Sequence, residues 1–223
     1  VLGSGQQHLV KINHKQVICW PNLGRGHFGE PITFALPEIA SSALFNPDYL
    51  YLIDIDGSGT DDLVYARRHG VDIYFNLAGN GFCQTPVSLA FPDGVEFDHL
   101  CQLSAGDIEG NGTASLILST SHPKVAHWKF SFCTEKPYLM NRVSNNMGSH
   151  SEVKYRSSVQ CWLDEKAASP DAVSQLPFPV HLLQTLIQTD EITGNTLTQE
   201  YDYRHGVYDG KEREFRGFGY VES

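Results

Sequence analysis

The sequence of 223 residues lacks several patterns that would assign it at once to a common class of protein. It has no run of about 18 apolar residues, so we expect no spanning helix and no direct membrane insertion. Its 16 Lys and Arg form no basic stripe and are outnumbered by 26 Asp and Glu, which argues against nucleic acid as a partner. Neither Cys-x-x-Cys nor His-Glu-x-x-His occurs, and the ten histidines are scattered, so a zinc site has little support.

Motifs for catalysis are also missing. The sequence contains neither a nucleophile elbow nor a phosphate-binding loop. Gly24–Gly29 spells the Gly-x-Gly-x-x-Gly dinucleotide fingerprint, but residues 30–34 continue as extended chain and not as a helix that could hold a pyrophosphate. The similar stretch Ala78–Phe82 indicates that both are copies of one hairpin turn. We therefore predict a protein that is not an enzyme.

The composition indicates a folded globular protein, since 41% of the residues are hydrophobic. The five cysteines are odd in number, widely spaced and set in apolar runs, so we predict buried free thiols and no disulfide framework. Val1 is not an initiator Met and no leader follows it, so we expect an internal fragment of a longer chain.

A repeat of about 54 residues organises the first part of the chain. Val1–Val10 aligns with Ile55–Val64 at an offset of 54 residues, and a third copy begins at Asp107–Leu116. Three units thus span roughly residues 1–135, and the first unit begins inside its glycine-bearing loop. One aromatic residue recurs in each unit at a position that we interpret as core packing: Trp20, Tyr74 and Trp128.

Each unit has the pattern of short strands separated by Gly, Asn, Asp and Pro, without helical periodicity. This pattern predicts an all-β fold in which residues 1–135 form blades of a β-propeller, about three repeats in an incomplete ring. Residues 136–177 lack the repeat, and we predict a linker or irregular connection there, with one short helix around Asp164–Ala168. Residues 178–223 predict a β-hairpin-rich segment, with turns at Thr193–Thr196 and Asp209–Gly210.

The second unit contains the best candidate for a metal site. Asp54, Asp56 and Asp62 surround two glycines in a tight turn, with Ser58 and Thr60 as further oxygen donors. Such a set is typical of a loop that binds a hard cation, so we predict structural calcium. A turn that caps itself through its Asp side chains and holds no metal is the alternative.

The other two units carry weaker versions of this loop. The third has Asp107, Glu109, Asn111, Thr113 and Ser115 at the equivalent places, with only two carboxylates, so we predict weak metal binding or none. The first has Leu2 and His8 where Asp56 and Asp62 would stand, so we predict no metal there. Its glycines are explained by the backbone, because the tight turn requires residues without a side chain.

Two stretches then carry a resemblance to a known family. The Asp54–Asp62 loop resembles the FG-GAP or VCBS repeat of integrin-type propellers, which is widespread. Tyr201–Tyr220 is far more specific and resembles the middle region of the B component of bacterial insecticidal Tc toxin complexes (TcdB/TcaC-like and SpvB-related proteins). Ser158–Lys166 and Leu176–Val180 are similar to the same region.

This resemblance implies that residues 1–135 belong to a propeller and that the later residues begin a strand-rich Rhs/YD-repeat shell. In that family the shell, closed with the C component, encloses a toxic enzyme, and the propeller docks on the pore-forming A component and gates release. We therefore expect a secreted, non-enzymatic structural and assembly segment with these toxin components as partners. A calcium-dependent integrin-like adhesion or glycan-binding propeller is the alternative, and an enzyme is the least favoured.

Overall fold

The computed structural model describes residues 1–37 and 39–223. Strands account for 45% of the chain and helices for 6%, so the prediction of an all-β fold is confirmed. None of the sheets formed by the described residues closes on itself. Within the same residues, no helix has the length and apolar character needed to cross a bilayer.

The first repeat forms a three-stranded sheet and a small hairpin. Its strands are β1 (Leu9–Ile12), β2 (Gln16–Trp20), β3 (Asn22–Gly24), β4 (His27–Phe28) and β5 (Ile32–Ala35). The sheet has the antiparallel order β1-β2-β5, and β3 pairs with β4. The fingerprint-like glycines therefore lie in a hairpin, as predicted, and Asn22↔Phe28 in this hairpin matches the bridge Asn76↔Phe82 in the second repeat.

The second and third repeats form the next two antiparallel sheets. A 3-10 turn (Pro47–Tyr49) leads into the second sheet, which has the order β6-β7-β8-β9, and the third sheet has the order β10-β11-β12. The strands are β6 (Leu50–Ile53), β7 (Asp62–Arg67), β8 (Gly70–Tyr74), β9 (Val87–Ala90), β10 (Gln102–Gly106), β11 (Ser115–Thr120) and β12 (Ala126–Ser131).

The register of these sheets corrects one detail of the repeat. Leu9 pairs with Trp20 and Leu63 with Tyr74, but the equivalent Leu116 pairs with Phe130. The predicted equivalence of Trp128 was therefore wrong by two positions. The cause is the turn length, because β7 and β8 are joined by residues 68–69, whereas residues 121–125 join β11 and β12.

The core of the three sheets consists of two apolar clusters that share strand β7. Leu63 and Tyr65 belong to one cluster with residues of the first sheet, and Val64 and Ala66 belong to the other with residues of the third. Because side chains alternate along a strand, both faces of β7 are covered. Burying a side chain such as Leu63, which is 0% exposed, contributes about 1.5–3 kcal/mol. The second sheet is thus held from both sides.

The described residues divide into two compact units. The first comprises Val1–Gly106 and Ala114–Pro137, and the second Asp107–Thr113 and Tyr138–Ser223. The second unit has a sheet of order β13-β14-β15-β16 and a hairpin β17-β18. Its elements are β13 (Arg142–Ser144), β14 (Ser149–Ser157), α1 (Ser158–Ala168), β15 (His181–Asp190), β16 (Thr196–Glu200), β17 (Asp202–Asp209) and β18 (Glu214–Glu222).

The linker or irregular connection expected at residues 136–177 contains more regular structure than predicted. The short helix expected around Asp164–Ala168 is present as the end of α1, which begins at Ser158, and strands β13 and β14 precede it. Strand β14 pairs with β15 along its whole length, and α1 follows it directly. The Ser157 hydroxyl accepts a hydrogen bond from the Val159 amide at 3.2 Å and caps the helix, which ends shortly before Pro170. Neither element shows a clear apolar periodicity. Strand β14 is stabilised by pairing with β15 and helix α1 by its N-cap, and a periodicity analysis reveals neither contribution.

The predicted hairpins are present, with one change in the strands. β15 pairs with β16 and β17 pairs with β18, around the expected turns. The chain between the two expected turns forms two strands divided at Tyr201, because β16 and β17 belong to different sheets. All five cysteines are free, as predicted, although only Cys19 is buried.

Candidate metal centre

The acidic loop (Asp54–Asp62) joins β6 to β7 in the second sheet. Gly57 and Gly59 adopt positive φ angles of 70° and 86°, a conformation that side chains with a Cβ rarely take. These two residues reverse the chain within a few positions, so that Asp54 before the turn and Asp62 after it face each other. Asp54, Asp56 and Asp62 can each offer one carboxylate oxygen, all within 4.8 Å of one another.

Asp62 is the most buried of the three carboxylates. Its side chain is fully enclosed, and it accepts hydrogen bonds from the Ile55 amide at 3.0 Å and the Asn76 amide at 2.8 Å. Burial raises the pKa of Asp62 to about 6, against the lowering effect of these two amides. Asp62 therefore closes the loop at its base and ties it to the end of β8.

Asp54 supplies the observation that most favours a cation. Its Oδ2 accepts a hydrogen bond from the Gly59 amide at 3.0 Å, whereas its Oδ1 is buried and has no hydrogen-bond partner among the described residues. Burial raises the pKa of Asp54, the Gly59 amide and the Lys136 ammonium lower it, and Asp56 raises it. A buried carboxylate oxygen without a partner is costly, and a bound cation would remove that cost.

The rest of the loop satisfies its own polar groups. Asp56 Oδ1 accepts a hydrogen bond from the Ser58 amide at 2.9 Å, and the Ser58 and Thr60 hydroxyls lie 3.0 Å apart. These contacts make an Asx turn, which is the geometry of the metal-free alternative as well. The predicted donor residues are thus brought together, and the donor set consists of hard oxygens that suit calcium or magnesium better than softer metals.

Two residues near this loop were missed in the sequence analysis. The Lys136 ammonium donates a hydrogen bond to the Gly57 carbonyl at 3.2 Å, and the Cys133 thiol lies 3.9 Å from the Ile55 carbonyl. Both belong to the segment that follows β12, far from the loop in sequence. No spacing pattern connects residue 136 with residue 57, so only the fold could identify this contact.

The equivalent residues of the third repeat are engaged differently. The two Asp107 oxygens accept hydrogen bonds from the Asn111 amide at 3.0 Å and the Gly112 amide at 2.7 Å, and the Thr113 hydroxyl donates to Asn111 Oδ1 at 2.6 Å. Ser115 lies at the start of β11, where its hydroxyl is 3.2 Å from that of Ser131. Both Asp107 oxygens thus already have partners.

Carbonyl oxygens of residues 107–113 are occupied as well. Within the second unit, Gln160 donates to the Glu109 carbonyl at 3.3 Å and the His181 ring lies 2.8 Å from the Asn111 carbonyl. The Ser157 hydroxyl donates to the Gly110 carbonyl. Backbone carbonyls of an acidic loop can serve as calcium ligands. In residues 107–113 these three carbonyls contact side chains instead.

Comparison with known proteins identifies relatives of the chain. The family described as the insecticide toxin TcdB middle/N-terminal region matches residues 83–223. A crystal structure of TcdB2–TccC3–Cdc42 contains a chain that is 51% identical over 99% of this chain, with a TM-score of 0.90. The Tc holotoxin pore of Photorhabdus luminescens is also 51% identical over 99%, with a TM-score of 0.91.

A crystal structure of TcdB2–TccC3 gives the same identity and coverage with a TM-score of 0.89. This chain spans about a tenth of the matched chains, namely 10% in the first two structures and 11% in the third. No curated protein matches it.

Proposed function

The chain belongs to the family of the insecticide toxin TcdB middle/N-terminal region, and we propose that it serves as a non-enzymatic structural segment in the B component of a secreted bacterial toxin complex. The observation that carries the proposal is the 51% identity over 99% of the chain to structures of the TcdB2–TccC3 complex. The aligned region includes both units, so the proposal covers the whole chain.

In this proposal residues 1–135 form blades of a β-propeller. Support comes from the three successive antiparallel sheets, in which Leu9, Leu63 and Leu116 hold equivalent positions. Apolar clusters between successive sheets also suit a radial array, in which each blade packs on its neighbours. Further blades from the rest of the protein would complete the ring.

Residues 178–223 would begin an Rhs/YD-type shell. The most family-specific stretch, Tyr201–Tyr220, forms the hairpin β17-β18, in which Tyr203 packs on Phe218 with ring centroids 5.3 Å apart. A shell built from such hairpins would be completed with a C component, by analogy with the TcdB2–TccC3 complexes. The chain would then contribute to enclosing a cargo, without catalysing a reaction itself.

The propeller region would dock on the pore-forming component and gate the passage of cargo. The relevant relative here is the Tc holotoxin pore. A pull-down with the intact protein tests this role: deletion of all propeller blades should abolish capture of the pore-forming component and preserve capture of the C component, which shows that the shell still folds. Capture of the pore-forming component by the deletion variant would contradict the proposal.

Cross-linking of the intact complex provides a measurement without deletion. The exposed Lys11, Lys15 and Lys124 lie on the proposed blades. Cross-links between propeller lysines and the pore-forming component are expected, and cross-links confined to the shell would count against docking through the propeller.

We also propose that the acidic loop binds structural calcium. Asp54, Asp56 and Asp62 would hold the ion, with Ser58 and Thr60 as neighbouring oxygen donors, and the ion would neutralise their charge and supply a partner for Asp54 Oδ1. Asp54→Ala combined with Asp56→Ala should lower the stability of the loop more in calcium than in chelator, because the hydrogen bonds from the Gly59 and Ser58 amides are lost in both conditions and the ion only in the first. Equal stability of the unaltered protein in calcium and in chelator would remove the claim.

The acidic loop fits an integrin-like adhesion propeller equally well, but the hairpin of residues 202–222 favours the toxin complex. Calcium-dependent binding to a glycan array by the intact protein would instead promote the adhesion function.

A further inference from the structure

Residues 133–137, here called the covering segment, lie against the acidic loop of the same unit. Gly57 is buried, and a Cβ added to it would lie 3.0 Å from Pro137 Cδ and 3.3 Å from Lys136 Nζ. The proline restricts Lys136 to extended conformations, because the residue before proline is excluded from the helical region. This restriction orders the backbone of Lys136, and the ammonium itself is held beside the turn by its hydrogen bond to the Gly57 carbonyl.

The Lys136 ammonium has both a hydrogen-bond partner and an electrostatic partner in the loop. It donates to the Gly57 carbonyl at 3.2 Å, and its positive charge favours the ionised form of Asp54. It does not occupy the position next to Asp54 Oδ1, which keeps no hydrogen-bond partner. Lys136 thus offsets part of the negative charge at Asp54 without serving as a hydrogen-bond partner of Asp54 Oδ1.

We infer that Lys136 is a tethered counter-charge that sets the affinity of the acidic loop for a divalent cation. Without the cation, the ammonium reduces the repulsion between the carboxylates and lets the loop keep its shape. When the cation binds, the two positive charges repel each other, so binding is weaker than the carboxylates alone would give. The inference rests on the calcium site proposed above and adds how that site is regulated.

Lys136 is a positioning residue in this view, because it acts on the ion through charge and not as a ligand. A neutral side chain of similar length should therefore have two opposite effects. It should strengthen calcium binding, on the order of tenfold for one partly screened charge. It should also loosen the loop when no calcium is present, because the carboxylates then repel one another without compensation.

The test uses the intact protein with Lys136→Met, and Lys136→Arg as the variant that keeps the charge. Lys124→Met, in the exposed turn between β11 and β12, is the control for loss of one lysine elsewhere in the unit. Hydrogen exchange of the peptide covering residues 54–62 is followed as calcium is titrated, which gives a local affinity even if the intact protein has other sites. Protection in chelator is measured for the same peptide.

The expected result is tighter calcium binding and faster exchange in chelator for Lys136→Met, with Lys136→Arg and Lys124→Met like the unaltered protein. Equal calcium affinity for Lys136→Met and the unaltered protein would overturn the inference and leave the calcium site standing. A peptide that no calcium concentration protects in any variant would overturn the calcium site itself, and with it the role of Lys136 in setting affinity.

Discussion

His8 and Asp62 accept the same backbone hydrogen bond in two successive repeats. His8 Nδ1 accepts from the Asn22 amide at 3.0 Å, and Asp62 Oδ1 accepts from the Asn76 amide at 2.8 Å, in both cases 14 residues later in the chain. An imidazole and a carboxylate are both able to accept at this position. The turn therefore requires a hydrogen-bond acceptor at its base. The acceptor does not have to be charged, so the negative charge of Asp62 is not explained by this hydrogen bond.

Asp62→Ala tests the role of Asp62 as a hydrogen-bond acceptor at the base of the turn. The substitution leaves the buried Ile55 and Asn76 amides without an acceptor, and each such loss typically costs about 1–3 kcal/mol. Relief from burying a charge offsets part of the loss, so we expect a net cost of about 2–4 kcal/mol for opening of the loop. Hydrogen exchange at these two amides in the intact protein measures it. Asp93→Ala, at an exposed position, should change the same rates little.

The raised pKa of Asp62 predicts how the loop responds to pH. Its folded value of about 6 lies above the ordinary value of 3.8, so between these values the folded loop holds a proton that the open loop releases. Stability therefore falls as the pH rises from about 4 to 6, by about 3 kcal/mol in chelator for a shift of this size. Calcium should reduce the fall, since a cation favours the charged carboxylate.

The turn between β15 and β16 is an internal control, because its stability should change with pH in the opposite direction. Hydrogen bonds from the Thr193 hydroxyl and the Ile192 amide lower the pKa of Asp190. Its stabilising effect is therefore present above the ordinary pKa and is lost as the pH falls. Hydrogen exchange, corrected for its intrinsic pH dependence, should show this turn strengthening as the pH rises towards 3.8 and the acidic loop weakening between about pH 4 and 6. A turn that weakens together with the acidic loop between about pH 4 and 6 would contradict the prediction.

The acidic loop also shows how far the sequence predicts the site. The repeat placed His8 and Asp62 at equivalent positions, and the glycine pattern predicted the turn, because both features are local. The alignment failed at Trp128, since a longer turn shifts the register without changing the apolar pattern. Lys136 could not be predicted, because its contact with Gly57 spans 79 residues and depends on how the last strand of the unit ends.

The second unit shows a different reason why the sequence does not predict every strand. Strand β14 contains mostly polar residues, and its nine residues are held by pairing with β15, a partner that begins 24 residues after β14 ends. Such non-local pairing leaves little trace in a periodicity analysis. The sequence predicted only the last part of helix α1, around Asp164–Ala168, because the Ser157 cap that marks the start of the helix was not used.

Gly57 and Gly59 form a matched pair for testing the covering segment. Both have positive φ, so alanine at either position costs about 1–2 kcal/mol from backbone strain. Only at Gly57 would the new Cβ meet Pro137 and Lys136, whereas at Gly59 it meets no atom within 4 Å. Gly57→Ala should therefore destabilise the loop more than Gly59→Ala, and it alone should speed exchange in residues 133–137. Equal effects of the two substitutions would show that the covering segment does not pack on the loop.

Gly70 should be the most sensitive glycine of the second sheet. It pairs with Ala90 at the start of β8, and a Cβ at this position would lie 2.2 Å from the Leu89 carbonyl oxygen, a distance that backbone atoms cannot tolerate. Gly70→Ala must therefore push β9 away from β8, with an expected cost of about 3 kcal/mol. Faster hydrogen exchange along residues 87–90 measures the loss of pairing.

Gly106 in β10 is the control for Gly70, because it is also a strand glycine but has no atom within 4 Å of an added Cβ. Its φ lies outside the left-handed region, so alanine there introduces no backbone strain and should change stability by less than about 0.5 kcal/mol. A similar loss of protection for Gly106→Ala would mean that glycine is required for strand flexibility in general. A loss confined to Gly70→Ala would assign the requirement to the close approach of β9, and hence to the packing of strands within the second sheet.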